Sequence, residues 1–207
     1  MRGTGDPAAL LPDEWQYHRV AVRARVQEFA AGRACAHRLL AEFGVFDFPV
    51  KSAPDRQPLW PDALVGSITH TVGFCAAVLA RKDDLSGVGI DTEIQGSVKP
   101  ELWRGICTAT ETMWLHSLPH AEQMRAATLI FSAKEAFYKC QYPLVAERLN
   151  FQDARVEIED WGRPQGKFNI HPNRQMALAR HAPAPWPGRY LFHEEFVSTG
   201  IALPTLR

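Results

Sequence analysis

The sequence predicts an α+β fold built from two similar halves packed together. Three observations carry this. A helical pattern over residues 14–43 is followed by three short strand-like runs. A second helical stretch over 122–142 is followed by further strand-like runs. A linker over Gln95–Pro100 separates the two near the midpoint of the chain. At 207 residues the chain is one domain, or two small ones sharing a core. The boundaries expected are a flexible leader over 1–12, an N-terminal half over 13–99 and a C-terminal half over 100–207.

In chain order, Met1–Pro12 reads as a loose leader, since Gly3, Gly5, Pro7 and Pro12 give it little to pack. Val22, Val26, Phe29, Ala36 and Leu40 then recur at helical spacing on one face, and Gly44 is placed to stop that helix. Arg33 falls in line with the apolar stripe. Either the helix breaks at Gly32 and Arg33 turns away, or a charge is held at the edge of the core for a ligand. Phe46–Pro61 carries four prolines and reads as a loop that presents side chains such as Arg56. Gly66–Thr71, Gly73–Ala80 and Gly87–Asp91 read as strands, the second continuously apolar and so expected to be central. Glu101–His116 is expected as one helix and Glu122–Tyr142 as another, closed by Pro143. The tail returns to strands at Ala154–Ile158, Gly166–Ile170, Arg189–Phe192 and Phe196–Leu203, the last two as a hairpin.

Chemistry concentrates in two stretches. In Phe131-Ser132-Ala133-Lys134-Glu135-Ala136-Phe137-Tyr138-Lys139, the residues Ile130, Ala133, Phe137 and Cys140 form an apolar stripe, while Phe131, Glu135, Tyr138 and Lys139 gather on another sector. Glu135 and Lys139 stand one turn apart. As a plain ion pair they are worth only ~0.2–0.5 kcal/mol. In Gly87-Val88-Gly89-Ile90-Asp91-Thr92-Glu93 a buried strand runs out into two acids at i and i+2, which point the same way in an extended chain. As a polar strand end they need no further role. If the helix packs near that strand end, three carboxylates and one ammonium converge, a set suited to a hard divalent cation and a phosphate. His70, beside Thr69 and Thr71, is either a satisfied structural histidine or part of a phosphate seat.

Formal net charge is zero, which removes any global electrostatic case for nucleic acid or an anionic membrane. Cys35, Cys75, Cys107 and Cys140 are widely spaced in apolar surroundings, and they read as small reduced core residues. There is no signal-peptide pattern and no run near the ~18 apolar residues of a membrane span. A cytoplasmic location is expected.

Gly66-Ser67-Ile68-Thr69-His70, the Gly87–Glu93 stretch and the Phe131–Lys139 stretch resemble, in this order and spacing, the three signature blocks of the 4′-phosphopantetheinyl transferases. The single-chain type serving siderophore, polyketide and peptide synthetases is the nearest likeness. The resemblance continues through Glu28–Ala36 and Arg56–Pro61 and covers about Leu11 to Phe151. It implies a pseudo-dimer of α+β halves with the site between them. The activity implied is Mg²⁺-dependent transfer of the phosphopantetheine arm of coenzyme A to a serine of an apo acyl, peptidyl or aryl carrier protein, with release of adenosine 3′,5′-bisphosphate. Mn²⁺ is a possible substitute. By the same resemblance Asp91, Glu93 and Glu135 hold the metal, Glu135 takes the serine proton, and Lys139 steadies the pyrophosphate and leaving group. Thr69, His70 and Asp91 sit by coenzyme A phosphates, and Arg33, Arg38 and Arg56 surround its 3′-phosphate. A monomer is the family expectation. Two other readings stand beside it: a non-catalytic relative that binds coenzyme A or carrier proteins, which has no need of all three acids and the lysine, and an unrelated Mg²⁺-dependent phosphohydrolase, which leaves Arg33 and Arg56 unexplained.

Overall fold

Helix α1 is a single turn, Pro12–Trp15, and α2 runs over Arg23–Glu42. The structure, a computed structural model, describes residues 5–15 and 23–205. Val22 and Met1–Thr4 lie outside the described residues. Within α2, Val26, Ala36 and Leu40 are buried as their spacing demands. The helix passes through Gly32 without a break, so Arg33 is carried inward. Gly44 ends it at φ 77°, with Val45 N donating back to Leu40 O at 2.9 Å.

Strands β1 (Leu64–Thr71) and β2 (Phe74–Arg81) form an antiparallel hairpin that is a sheet of its own. β2 is therefore not central. Its apolar run is explained by α2 and by strand β3 (Leu85–Ile94) packing against it. After β3 come α3 (Pro100–Ile106), α4 (Ala109–Ser117) and α5 (His120–Val145). The single helix expected over 101–116 is thus two. Thr108 takes an extended backbone and caps α4, its hydroxyl accepting from Glu111 N while Glu111 accepts from Thr108 N. Pro143 lies inside the last turn of α5, which stops only at Ala146 in the left-handed region.

The tail gives β4 (Ala154–Ile158), β5 (Gln165–Pro172), β6 (Trp186–His193) and β7 (Phe196–Pro204). The second sheet has the order β3-β7-β6-β5-β4, each neighbour antiparallel. The architecture is α+β as expected, but β3 pairs with β7 and not with the hairpin that precedes it. Helix α5 lies across this sheet. Ile130, Ala133, Phe137 and Cys140 are all at most 2% exposed and pack with Phe168, Ile170, Trp186, Val197 and Ile201. Phe137 stacks on Trp186 at 5.0 Å. Phe131, Glu135, Tyr138 and Lys139 stay partly exposed, as their sector predicts. Among the described residues no helix is long and apolar enough to cross a membrane.

Candidate active site

The two sheets meet along β1 and β3, and side-chain hydroxyls take the place of a strand ladder there. Ser67 Oγ accepts from Ile90 N at 3.1 Å, and Thr69 Oγ1 accepts from Thr92 N at 2.9 Å. Asp91 sits between these two links, 4% exposed. On its other side β3 lies almost against α5. A Cβ on Gly89 would stand 2.0 Å from Ala136 O, so only glycine permits this approach. Asp91 and Glu93 follow on the same face of the strand. They are thereby carried to the exposed sector of α5.

There, Lys139 Nζ is 2.7 Å from Asp91 Oδ1, which also receives a long hydrogen bond of 3.4 Å from Thr69 Oγ1. Asp91 Oδ2 is buried with no hydrogen-bond partner. Burial, with Asp91 and Glu135 nearby, pushes the Glu93 carboxyl up to about 7. Burial also raises Glu135, with Asp91 adding to the shift and Lys139 opposing it. The three acids feel one another and one ammonium, but among the described residues no three acid, His or Cys side chains are already gathered at coordinating distance. The donor set fits a hard divalent cation: it is all oxygen and poorly solvated, and one buried oxygen lacks a partner.

A cavity of about 500 Å³ opens on the hairpin side, lined by Arg25, Glu28, Gly32, Arg33, Arg56 and His70 among others. Arg33 is pinned in its wall, Nε donating to Val50 O at 2.6 Å and Nη2 to Ser52 Oγ at 2.9 Å, with the guanidinium over the Phe29 ring. Burial lowers its pKa to about 10, so it stays charged at neutral pH. Arg56 is exposed and held at φ 75°, a conformation that costs a non-glycine residue roughly 1–3 kcal/mol. His70 is lowered by burial, with Lys139 and Arg25 acting in the same direction. A second cavity of about 200 Å³ lies beyond Glu135, lined by Tyr138, Leu149, Asn150 and Phe151 among others. The charged cluster therefore stands between a basic cavity and a largely apolar slot.

Of the residues singled out by sequence, Arg33, Arg56 and His70 share the first cavity, and Asp91, Glu93, Glu135 and Lys139 share the cluster. Thr69 faces Asp91 and is not among the residues lining the cavity. Arg38 is exposed on α2 and does not line the cavity, which corrects its grouping with Arg33. Three features were not anticipated. Ser67 fixes the β1–β3 seam. Glu14, fully buried, accepts from Val50 N at 2.8 Å and bonds His37, which holds the loop behind Arg33. Lys134, beside Glu135, is buried with Glu111 at 2.7 Å.

Comparison with known proteins decides the family. The profile of the 4′-phosphopantetheinyl transferase N-terminal domain matches residues 13–80, and that of the 4′-phosphopantetheinyl transferase superfamily matches residues 87–191. The chain belongs to the 4′-phosphopantetheinyl transferase superfamily. It is an enzyme, a transferase of the phosphopantetheine group. It is 31% identical over 204 residues to the 4′-phosphopantetheinyl transferase Npt of Nocardia iowensis, covering 95% of this chain and 91% of that one. It is 35% identical over 156 residues to the transferase Svp of Streptomyces mobaraensis, covering 74% of this chain and 63% of Svp. A solved holo-(acyl-carrier-protein) synthase from Bacillus anthracis overlays 59% of this phosphopantetheinyl transferase and 99% of its own chain, at 19% identity and a TM-score of 0.45.

Proposed function

We propose that this transferase moves the 4′-phosphopantetheine arm of coenzyme A to a serine of an apo carrier-protein domain, with Asp91, Glu93 and Glu135 holding Mg²⁺. The observation that carries the reading is the arrangement at Asp91, a buried carboxylate with Lys139 on one oxygen and nothing on the other, flanked by two acids of raised pKa. Coenzyme A fits across the two cavities. Its adenosine bisphosphate end meets Arg33, Arg56 and His70, its pantetheine arm enters the slot beside Glu135, and its pyrophosphate crosses Lys139. Arginine's planar fork suits the 3′-phosphate.

Glu135 is the base. Its carboxylate takes the proton of the carrier serine, and the serine oxygen attacks the phosphorus that bears the pantetheine. The bond from that phosphorus to the pyrophosphate bridge breaks, and adenosine 3′,5′-bisphosphate leaves. Burial at Glu135 raises its proton affinity and so favours this step. Lys139 Nζ offsets charge on the bridge oxygen as it departs. When bound, Mg²⁺ supplies neutralisation of the pyrophosphate oxygens, and Mn²⁺ is a possible substitute.

The test is intact mass of an apo carrier domain incubated with the protein, coenzyme A and Mg²⁺. A gain of about 340 Da, lost with chelator and restored by Mg²⁺, is expected. Bound coenzyme A without a gain on acyl, peptidyl or aryl carriers would instead mark a non-catalytic binding relative.

A further inference from the structure

Outside the charged cluster, two cysteines meet behind the wall of the basic cavity. Gly32 and Cys35, three residues apart, share the face of α2 that is pressed on the hairpin. A Cβ on Gly32 would stand 3.0 Å from Ile68 Cγ2 and 3.9 Å from Cys75 Sγ. Cys35 Sγ donates to the backbone carbonyl of Cys75, with Sγ 3.8 Å from Cys75 O. Cys35 is half-buried, Cys75 is 1% exposed, and neither is in a disulfide. The neighbouring Cys75 side chain brings the Cys35 thiol down to about 6, with burial opposing the shift and Arg38 assisting it. The same neighbour and burial push Cys75 up. Cys35 is therefore the more readily ionised of the two sulfurs, and it is also the more accessible. Cys107 and Cys140 provide an internal contrast, since burial pushes each up to about 12.

We propose that Cys35 and Cys75 are a hydroperoxide-sensitive thiol pair that closes to a disulfide in the wall of the coenzyme A cavity. The Cys35 thiolate attacks the O–O bond. A sulfur–oxygen bond forms, hydroxide leaves and takes up a proton, and Cys35 becomes a sulfenic acid. The Cys75 sulfur then attacks the Cys35 sulfur. The S–S bond forms, the S–O bond breaks, and the oxygen departs as water with the Cys75 proton. The two thiols supply two electrons and the peroxide accepts them. Cys75 is the cross-strand partner of His70, and Cys35 shares α2 with Arg33. The crosslink therefore ties α2, which carries Arg25 and Arg33, to the strand paired with the one that carries His70. This consequence, unlike the bond itself, rests on coenzyme A binding there.

The whole chain is treated with hydrogen peroxide, its unreacted thiols are alkylated, and the digest is mapped by mass. The expected result is a loss of about 2 Da, a Cys35–Cys75 linked peptide reversed by dithiothreitol, and Cys107 and Cys140 still alkylated. Cys35→Ser protein should give no linked peptide. A stable gain of about 16 or 32 Da at Cys35 without the link, or equal oxidation of all four thiols, overturns the pair. Coenzyme A affinity, measured by calorimetry before and after oxidation, should fall about tenfold in the crosslinked protein only. A crosslink with unchanged affinity overturns the effect on the cavity. If the reduced protein fails to bind coenzyme A, the binding assignment falls, while the peptide map still decides the thiol chemistry.

Discussion

Two lysines five residues apart on α5 form buried ion pairs of opposite character. Lys134 spends its three donors on Glu111 Oε2, Ile106 O and Phe151 O, all within 2.8 Å. Glu111 in turn accepts from Thr108 N and Val156 N. The side chains are 4% and 1% exposed. Lys139, 29% exposed, has Asp91 Oδ1 alone, and Asp91 leaves its second oxygen buried without a partner. A saturated pair joins α4, α5 and β4 and has nothing left to offer a ligand. An unsaturated pair at the seam of two sheets is poorly stabilised by itself, and in the proposed function it gains when an ion and a phosphate arrive. Completeness of the hydrogen bonding, more than burial, separates the structural pair from the one proposed to meet substrate.

The largest effect expected is on folding. Lys134→Met strands a buried carboxylate that Thr108 N and Val156 N still hold in place and should cost about 3–5 kcal/mol in urea unfolding, whereas Lys139→Met, which removes a partly solvated ammonium from an already under-bonded carboxylate, should cost less, about 1–3 kcal/mol. Equal losses would erase the contrast. Next is chemistry. Glu135→Gln should lower single-turnover transfer about 10³-fold while coenzyme A affinity by calorimetry is largely kept. Loss of both together would move Glu135 to the structural side. Smaller is recognition. Arg33→Ala should weaken coenzyme A binding about 10–100-fold but 3′-dephospho-coenzyme A far less. An equal effect on both would leave Arg33 as a tie to Val50 and Ser52 only.

The smallest effect concerns acid stability. Burial pushes Glu14 up, but hydrogen bonds from His37, Leu11 N and Val50 N prevail and hold it below its ordinary 4.5. Its contribution is full above that value and drains away as pH falls through the lower folded value. Glu14→Gln should lose about 1 kcal/mol at neutral pH and show a flatter stability profile below pH ~4.5 in thermal melts. An unchanged acid limb would put the sensitivity elsewhere.

The site was legible where chemistry and spacing coincide. Glu135 and Lys139 share a sector of α5, and Asp91 and Glu93 alternate along β3, so one helix-on-strand contact gathers all four. Arg38 was separable from Arg33 by arithmetic: five residues turn a helix by about 140° beyond a full turn, so both cannot face one cavity. Lys134 also left a trace, lying three residues before Phe137 and four after Ile130, in line with the apolar stripe. The split between α3 and α4 was written in Thr108-Ala109-Thr110-Glu111, a capping-box spacing. The partnership of β3 with β7 was not legible. Asp91 pairs with Thr199, over a hundred positions away, and neither segment carries a local mark of the other.

Gly89 carries a consequence for precision. Where side chains fill the gap between a strand and a helix, the gap inherits their rotamer hops and their volume errors. Here main chain rests on main chain, and Ala136 O would lie 2.0 Å from any Cβ at that position. The separation between the main chain that carries Asp91 and the main chain that carries Lys139 is therefore gauged by two polypeptide backbones, which have no alternative sizes. Drift elsewhere in the core can change melting temperature without shifting the strand and helix on which the candidate site is mounted.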